Sequence, residues 1–68
     1  MPIVEVTLVE GRSPEELRAM ISAITAAVSV TVAAPVSAVR VIIREVPTTH
    51  FAAGDVTIAE RRLSAPVT

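Results

Sequence analysis

Ser13-Pro14-Glu15-Glu16-Leu17 decides how the rest of this 68-residue chain is read. A serine cap, a proline at the first helical position and acids in the first turn mark a helix start, with Glu16 placed to close a capping box. Leu17, Ile21, Ile24 and Val28 follow at helical spacing as a buried stripe, while Arg18, Ser22, Thr25 and Ser29 fall toward the other side. Val28 to Val32 also alternates like a strand, and β-branched residues weaken a helix. The helix is nevertheless read through it to Ala33-Ala34-Pro35, where the residue before proline is pushed out of the α region.

Strands flank this helix. On its N-terminal side Ile3 to Val9 carries Val4, Val6 and Leu8 on one face and Ile3, Glu5, Thr7 and Val9 on the other, and Gly11 frees the turn that follows. On its C-terminal side Val39 to Val46 points Val39, Val41 and Ile43 one way and Arg40, Ile42 and Arg44 the other. Strand, helix and strand within about 45 residues make a βαβ unit with parallel strands. The lengths agree, since a helix of ~18 residues spans roughly 27 Å and a strand of ~8 residues roughly 26 Å. Beyond Pro47, residues 48–55 read as a loop or hairpin, Val56 to Ile58 as a short strand, and Ala59 to Leu63 as a helical turn or an extended arm. Residues 64–68 carry Pro66 and no pattern, and read as a flexible or partner-bound tail of one domain covering residues 1–68.

Composition narrows the function. Apolar residues make up 51% of the chain, too many for one helix and a few short strands to bury, and no cysteine offers a disulfide. An obligate oligomer is expected. The lone histidine, His50, has no second histidine with which to share a metal, and no metal site is expected. Net charge is −1, all six cationic side chains are arginine and Phe51 is the only aromatic, which argues against nucleic acid. Ser22, Thr25, Ser29 and Thr31 interrupt the least polar stretch, so no membrane span is read, and no secretory leader precedes it. The chain reads as cytoplasmic.

The second residue carries the chemistry. With Met1 removed, Pro2 becomes a terminal secondary amine held at the head of a buried strand; with Met1 retained its nitrogen is an amide without useful basicity. A fixed amine near guanidinium groups has its protonated form disfavoured, as a general base working near neutrality requires.

A terminal proline, a strand ending in Leu-Val-Glu-Gly-Arg-Ser, one helix, Ala-Pro, the strand Val-Arg-Val-Ile-Ile-Arg-Glu and then His-Phe with a glycine loop resemble the 4-oxalocrotonate tautomerase family over residues 2 to about 62. The resemblance implies an α+β fold in which two βαβ units, each with a C-terminal hairpin, dimerise into a four-stranded sheet with two helices, and a homo-hexamer built as a trimer of dimers. It implies an isomerase of the kind used in aromatic degradation, which converts an enol or dienol carboxylic acid to its keto form without metal or organic cofactor. Pro2 matches the family's general base and Arg12 the arginine that binds a substrate carboxylate. Arg40 matches the arginine that reaches the substrate from a neighbouring subunit, and Phe51 the aromatic that keeps the pocket dry. Asp55 stands where many members have a second loop glycine and is expected to alter the hairpin. Arg44 stands where a neutral polar residue is common, on the same strand face as Arg40. His50 is assigned no role. Hydrolytic dehalogenases of this kind use a carboxylate two residues after the aromatic; here that place is Ala53, which argues for tautomerisation over hydration or dehalogenation, with a related lyase or dehalogenase kept as an alternative. A non-catalytic subunit of a hetero-oligomer is the other alternative.

Overall fold

The computed structural model describes residues 1–64. Strand β1 (Ile3–Val9), helix α1 (Pro14–Thr31) and strand β2 (Arg40–Val46) form the βαβ unit; a 3₁₀ turn (Thr48–His50), two short strands, β3 (Ala52–Ala53) and β4 (Val56–Thr57), and helix α2 (Ile58–Ser64) follow. β1 and β2 pair in parallel from Ile3 opposite Arg40 to Val9 opposite Val46, and β3 pairs with β4 as an antiparallel hairpin. Backbone bonds close both ends of the parallel ladder: the Arg40 N–H donates to the Pro2 carbonyl at 3.0 Å and the Glu10 N–H to the Val46 carbonyl at 2.9 Å. The fold is thus α+β, with parallel strands and a C-terminal hairpin. Of the tail expected over residues 64–68, Ser64 closes α2 and the remainder lies outside the described residues.

The start of α1 is built as its sequence dictates. Ser13 Oγ accepts from the Glu16 N–H at 3.1 Å while Glu16 Oε1 accepts from the Ser13 N–H at 2.9 Å, which satisfies two of the donors that a helix start leaves unpaired. The β-branched residues up to Thr31 stay helical, and the Thr31 hydroxyl donates back to the Ala27 carbonyl at 2.8 Å. Two expectations need correction. Thr25 and Ser29 are half-buried beside the Leu17, Ile21, Ile24 and Val28 stripe, because their hydroxyls bond to the Ile21 and Ala34 carbonyls at 2.7 and 2.6 Å and need no water. And β2 begins at Arg40, since the Val39 N–H turns back to the Val36 carbonyl at 3.2 Å, closing a 3₁₀ turn over Val36–Ala38.

Helix α1 packs against β2, leaving Val4, Val6, Leu8, Val41 and Ile43 half-buried. The opposite face, with Ile3, Glu5, Thr7, Arg40, Ile42 and Arg44, is exposed. Among the described residues only Val39 is buried, at 9% exposure, while Ile3 and Val30 are 61% and 81% exposed. The described residues thus bury almost no core of their own, and their bare apolar surface is what another polypeptide would cover.

The end of α1 is unusual. Val32 caps it, Ala33 takes φ 53°, and the Ala34 N–H donates to the Ser29 carbonyl at 3.2 Å, the pattern in which glycine normally supplies the left-handed residue. A left-handed alanine costs about 1–2 kcal/mol, whereas the extra freedom of glycine in the unfolded chain costs about 0.4–1 kcal/mol. Ala33→Gly is therefore expected to stabilise the protein by up to about 1 kcal/mol. Thermal unfolding at fixed protein concentration checks this, and an unchanged or lowered midpoint contradicts it.

Candidate active site

Pro2 is half-buried where the parallel ladder begins, its carbonyl tied to the Arg40 N–H. Met1 precedes it, 80% exposed, so the Pro2 nitrogen is an amide in this chain. Register puts Arg40 beside Pro2 at the same end of the sheet, with Arg40 Nη1 donating to the Ser37 carbonyl at 2.8 Å and the side chain on the face bare of helix.

Arg12 lies at the other end. It follows Gly11, whose φ of 129° is closed to most side chains, and its Nη1 donates to the Val9 carbonyl at 3.3 Å. Seven residues of β1 intervene, so at about 3.3 Å per residue roughly 20 Å separates the two ends. Phe51 also belongs beyond that far end, in the segment leaving β2 after Val46. Of the four residues singled out from sequence, one chain therefore joins the backbones of Pro2 and Arg40 at one end of the sheet, and holds Arg12 and the Phe51 segment at the opposite end.

The Phe51 segment is an arm that packs chiefly on itself: α2 rests on the 48–50 turn and on β4, and the molecule is drawn out to 45 × 24 × 16 Å. Phe51 is half-buried, and its carbonyl accepts from the Ile58 N–H at 2.9 Å. Arg61 Nη2 donates to the Ala53 carbonyl at 3.1 Å, lashing α2 to the hairpin. Asp55 is accommodated in that hairpin. Gly54 and Asp55 take φ 59° and 66°, the pair of left-handed residues that a tight two-residue hairpin demands, and aspartate is among the few side chains that accept this region.

Sequence reading missed the device that starts α2. Thr57-Ile58-Ala59-Glu60 is a second capping box, in which Glu60 Oε1 accepts from the Thr57 N–H and hydroxyl, each at 2.9 Å, and Thr57 Oγ1 accepts from the Glu60 N–H at 3.1 Å. The signal was present, a threonine with glutamate three residues on, but was hidden by reading Val56 to Ile58 as strand alone. Among the described residues no group of three or more His, Cys, Asp or Glu side chains can hold a metal ion, and no helix is long and apolar enough to cross a membrane.

A family model described as tautomerase enzyme matches residues 2–61. The 2-hydroxymuconate tautomerase of Stutzerimonas stutzeri is 43% identical over 54 residues, covering 79% of this chain and 86% of that protein. The crystal structure of TomN, a 4-oxalocrotonate tautomerase homologue in the tomaymycin biosynthetic pathway, superposes with a TM-score of 0.93 at 48% identity, over 96% of this chain and all of the other. A heterohexamer 4-oxalocrotonate tautomerase from Chloroflexus aurantiacus superposes with a TM-score of 0.86 at 38% identity, over 88% of this chain and 97% of the other.

The arm has its own pH dependence. Bonds from the Thr57 N–H first, then from its hydroxyl, hold the Glu60 carboxyl below the ordinary glutamate value, outweighing a small opposing effect of desolvation. A depressed folded value means the contribution is complete above the unfolded glutamate value and is lost as pH falls through the folded one. Acidification is thus expected to loosen α2 first at its start, raising hydrogen exchange at Ile58 and Glu60, and Glu60→Gln is expected to flatten that pH dependence. Unchanged acid sensitivity in Glu60→Gln counts against the assignment.

Proposed function

This chain belongs to the tautomerase family, and we propose from that premise that it is a cofactor-independent isomerase that converts an enol or dienol carboxylic acid to its keto form, with Pro2 as general base. The observation that carries the proposal is the Arg40 N–H bond to the Pro2 carbonyl at 3.0 Å, which extends the β1–β2 ladder to the second residue. Removal of Met1 then leaves an amine whose position is set by the sheet.

The chemistry follows from that arrangement. The free Pro2 nitrogen accepts the proton of the enol hydroxyl and returns it to a carbon farther along the conjugated system, so no atom is gained or lost. Charge builds on the substrate oxygens in between, and guanidinium groups fixed in advance stabilise it most where water is excluded. Arg12 binds a carboxylate and draws electron density toward it, Arg40 steadies the remaining oxygens, and Phe51 walls the pocket. The reaction calls for no metal or organic cofactor.

The roughly 20 Å between Pro2 and Arg12 supports the reading of a site shared between copies. Among the described residues no second strand pairs with the free edge of β1. A second β1 laid antiparallel on that edge gives the four-stranded sheet with two helices, and brings one copy's Arg12 to the other's Pro2. The exposed Arg40 face and the projecting arm are left to meet further copies, in keeping with a trimer of dimers. A second reading, a non-catalytic subunit among unlike chains, is supported by the heterohexameric relative; native mass spectrometry of the complex distinguishes it by composition.

Two outcomes are expected. Protein with Met1 retained should lose about 10²–10⁴-fold in kcat/KM for ketonisation of 2-hydroxymuconate, the usual contribution of a general base. Terminal sequencing alongside the ultraviolet assay checks this, and equal rates with Met1 present would sink the base assignment. Mixing the Met1-retaining chain with Arg12→Gln through unfolding and refolding should restore a fraction of the activity, since some mixed sites regain both groups. A mixture as poor as its parents places the site within one chain.

A further inference from the structure

Arg40 and Arg44 stand on the same face of β2, the face that α1 leaves bare, with Ile42 between them. They are held differently. Arg40 donates to a backbone carbonyl at 2.8 Å, whereas Arg44 Nη1 meets Glu5 Oε2 at 3.5 Å, well beyond the 2.7–2.9 Å typical of a charge-assisted bond. The two side chains are 56% and 53% exposed, and a pair of this kind contributes little to stability.

The direction of the contact is informative. Register sets Arg44 opposite Thr7 and Glu5 opposite Ile42, so the pair is diagonal and draws the Arg44 guanidinium back along the sheet toward the Arg40 end. The strip between the two arginines is floored by Ile42, 42% exposed. An apolar floor flanked by two guanidinium groups, one fixed and one loosely engaged, suits a conjugated acid laid along the strand.

Resting on the tautomerase reading above, we propose that Arg44 is a specificity-determining residue: it presents a second guanidinium on the Arg40 face to the acid substrate, and Glu5 occupies it until the substrate displaces that carboxylate. Arginine suits the task because its planar fork engages either carboxylate without losing its charge. Coulomb attraction scales with substrate charge, so the added cation favours enol acids with two carboxylates over those with one.

Opposite signs distinguish this from a structural ion pair. In a structural pair, removing either partner acts in the same direction. Here Arg44→Gln loses the substrate contact, and Glu5→Gln removes a competitor. For 2-hydroxymuconate, Arg44→Gln is expected to raise KM about tenfold with kcat little changed, the mark of lost uniform binding. Glu5→Gln should lower KM, and Arg44→Lys should recover part of the loss. With phenylenolpyruvate, which has one carboxylate, the Arg44→Gln rise should be smaller, shifting the ratio of the two kcat/KM values toward the monoacid. KM moving the same way in Glu5→Gln and Arg44→Gln, or in neither, overturns the proposal while leaving the isomerase reading intact. Absence of turnover of either acid by the unaltered chain with a free Pro2 overturns both. Native mass spectrometry reads assembly in each variant; should Arg44→Gln fail to assemble, Glu5→Gln decides alone, a lower KM supporting the proposal and an equal or higher one overturning it.

Discussion

Parallel pairing of β1 with β2 is the constraint from which the rest follows. In a parallel pair both strands begin at one end and finish at the other, and here the ladder runs unbroken from Pro2 to Val46. The second residue and Arg40 are therefore fixed together, while Arg12 and the arm bearing Phe51 are fixed together a strand's length away. No side-chain rotation closes a gap of roughly 20 Å, because an arginine head reaches only a fraction of it. A site that uses both ends has to be assembled from more than one copy, and the same geometry gives the simplest means: antiparallel contact of two identical strands brings unlike ends together twice, once at each end.

Energetics point the same way. A chain with 51% apolar residues that buries only Val39 among its described residues has put its hydrophobic groups where a second polypeptide removes them from water. Ile3, Val30, Val32 and Val36 are all exposed, and α1 runs back across the sheet so that its last turn returns to the β1 start. Their bareness therefore sits around the very end that holds Pro2. Covering that end would dry the proline nitrogen and stabilise the fold in one step, so in the proposed enzyme folding free energy and catalytic environment are drawn from the same buried area.

Much of this was legible in the residues. The helix start at Ser13 needed only local chemistry, and the strands showed in their alternation, because period and capping are properties of a few neighbouring side chains. What escaped were features set by competition. Thr25 and Ser29 looked solvent-facing, but backbone carbonyls within reach let their hydroxyls turn inward. Val39 looked like strand until its N–H found Val36. Asp55 replaces a loop glycine at a position whose left-handed region is open to aspartate at modest cost. The distribution of site residues between the two ends was implicit in strand length and was not drawn out, since attention to residue types says nothing about which of them one chain can bring together.

The arm shows how a short segment can be made rigid enough to present an aromatic. Seven residues are too few for an independent helix, whose nucleation alone is unfavourable. Three backbone-directed bonds substitute for length: Thr57 with Glu60 at the start of α2, Ile58 to the Phe51 carbonyl, and Arg61 to Ala53 across the hairpin. These bonds join α2 to the hairpin and to the residue that leads into it, which gives the arm its shape. Leaving β2 after Val46, the arm keeps Phe51 at the Arg12 end of its own sheet, and in the proposed antiparallel dimer that end is where a neighbour's Pro2 arrives.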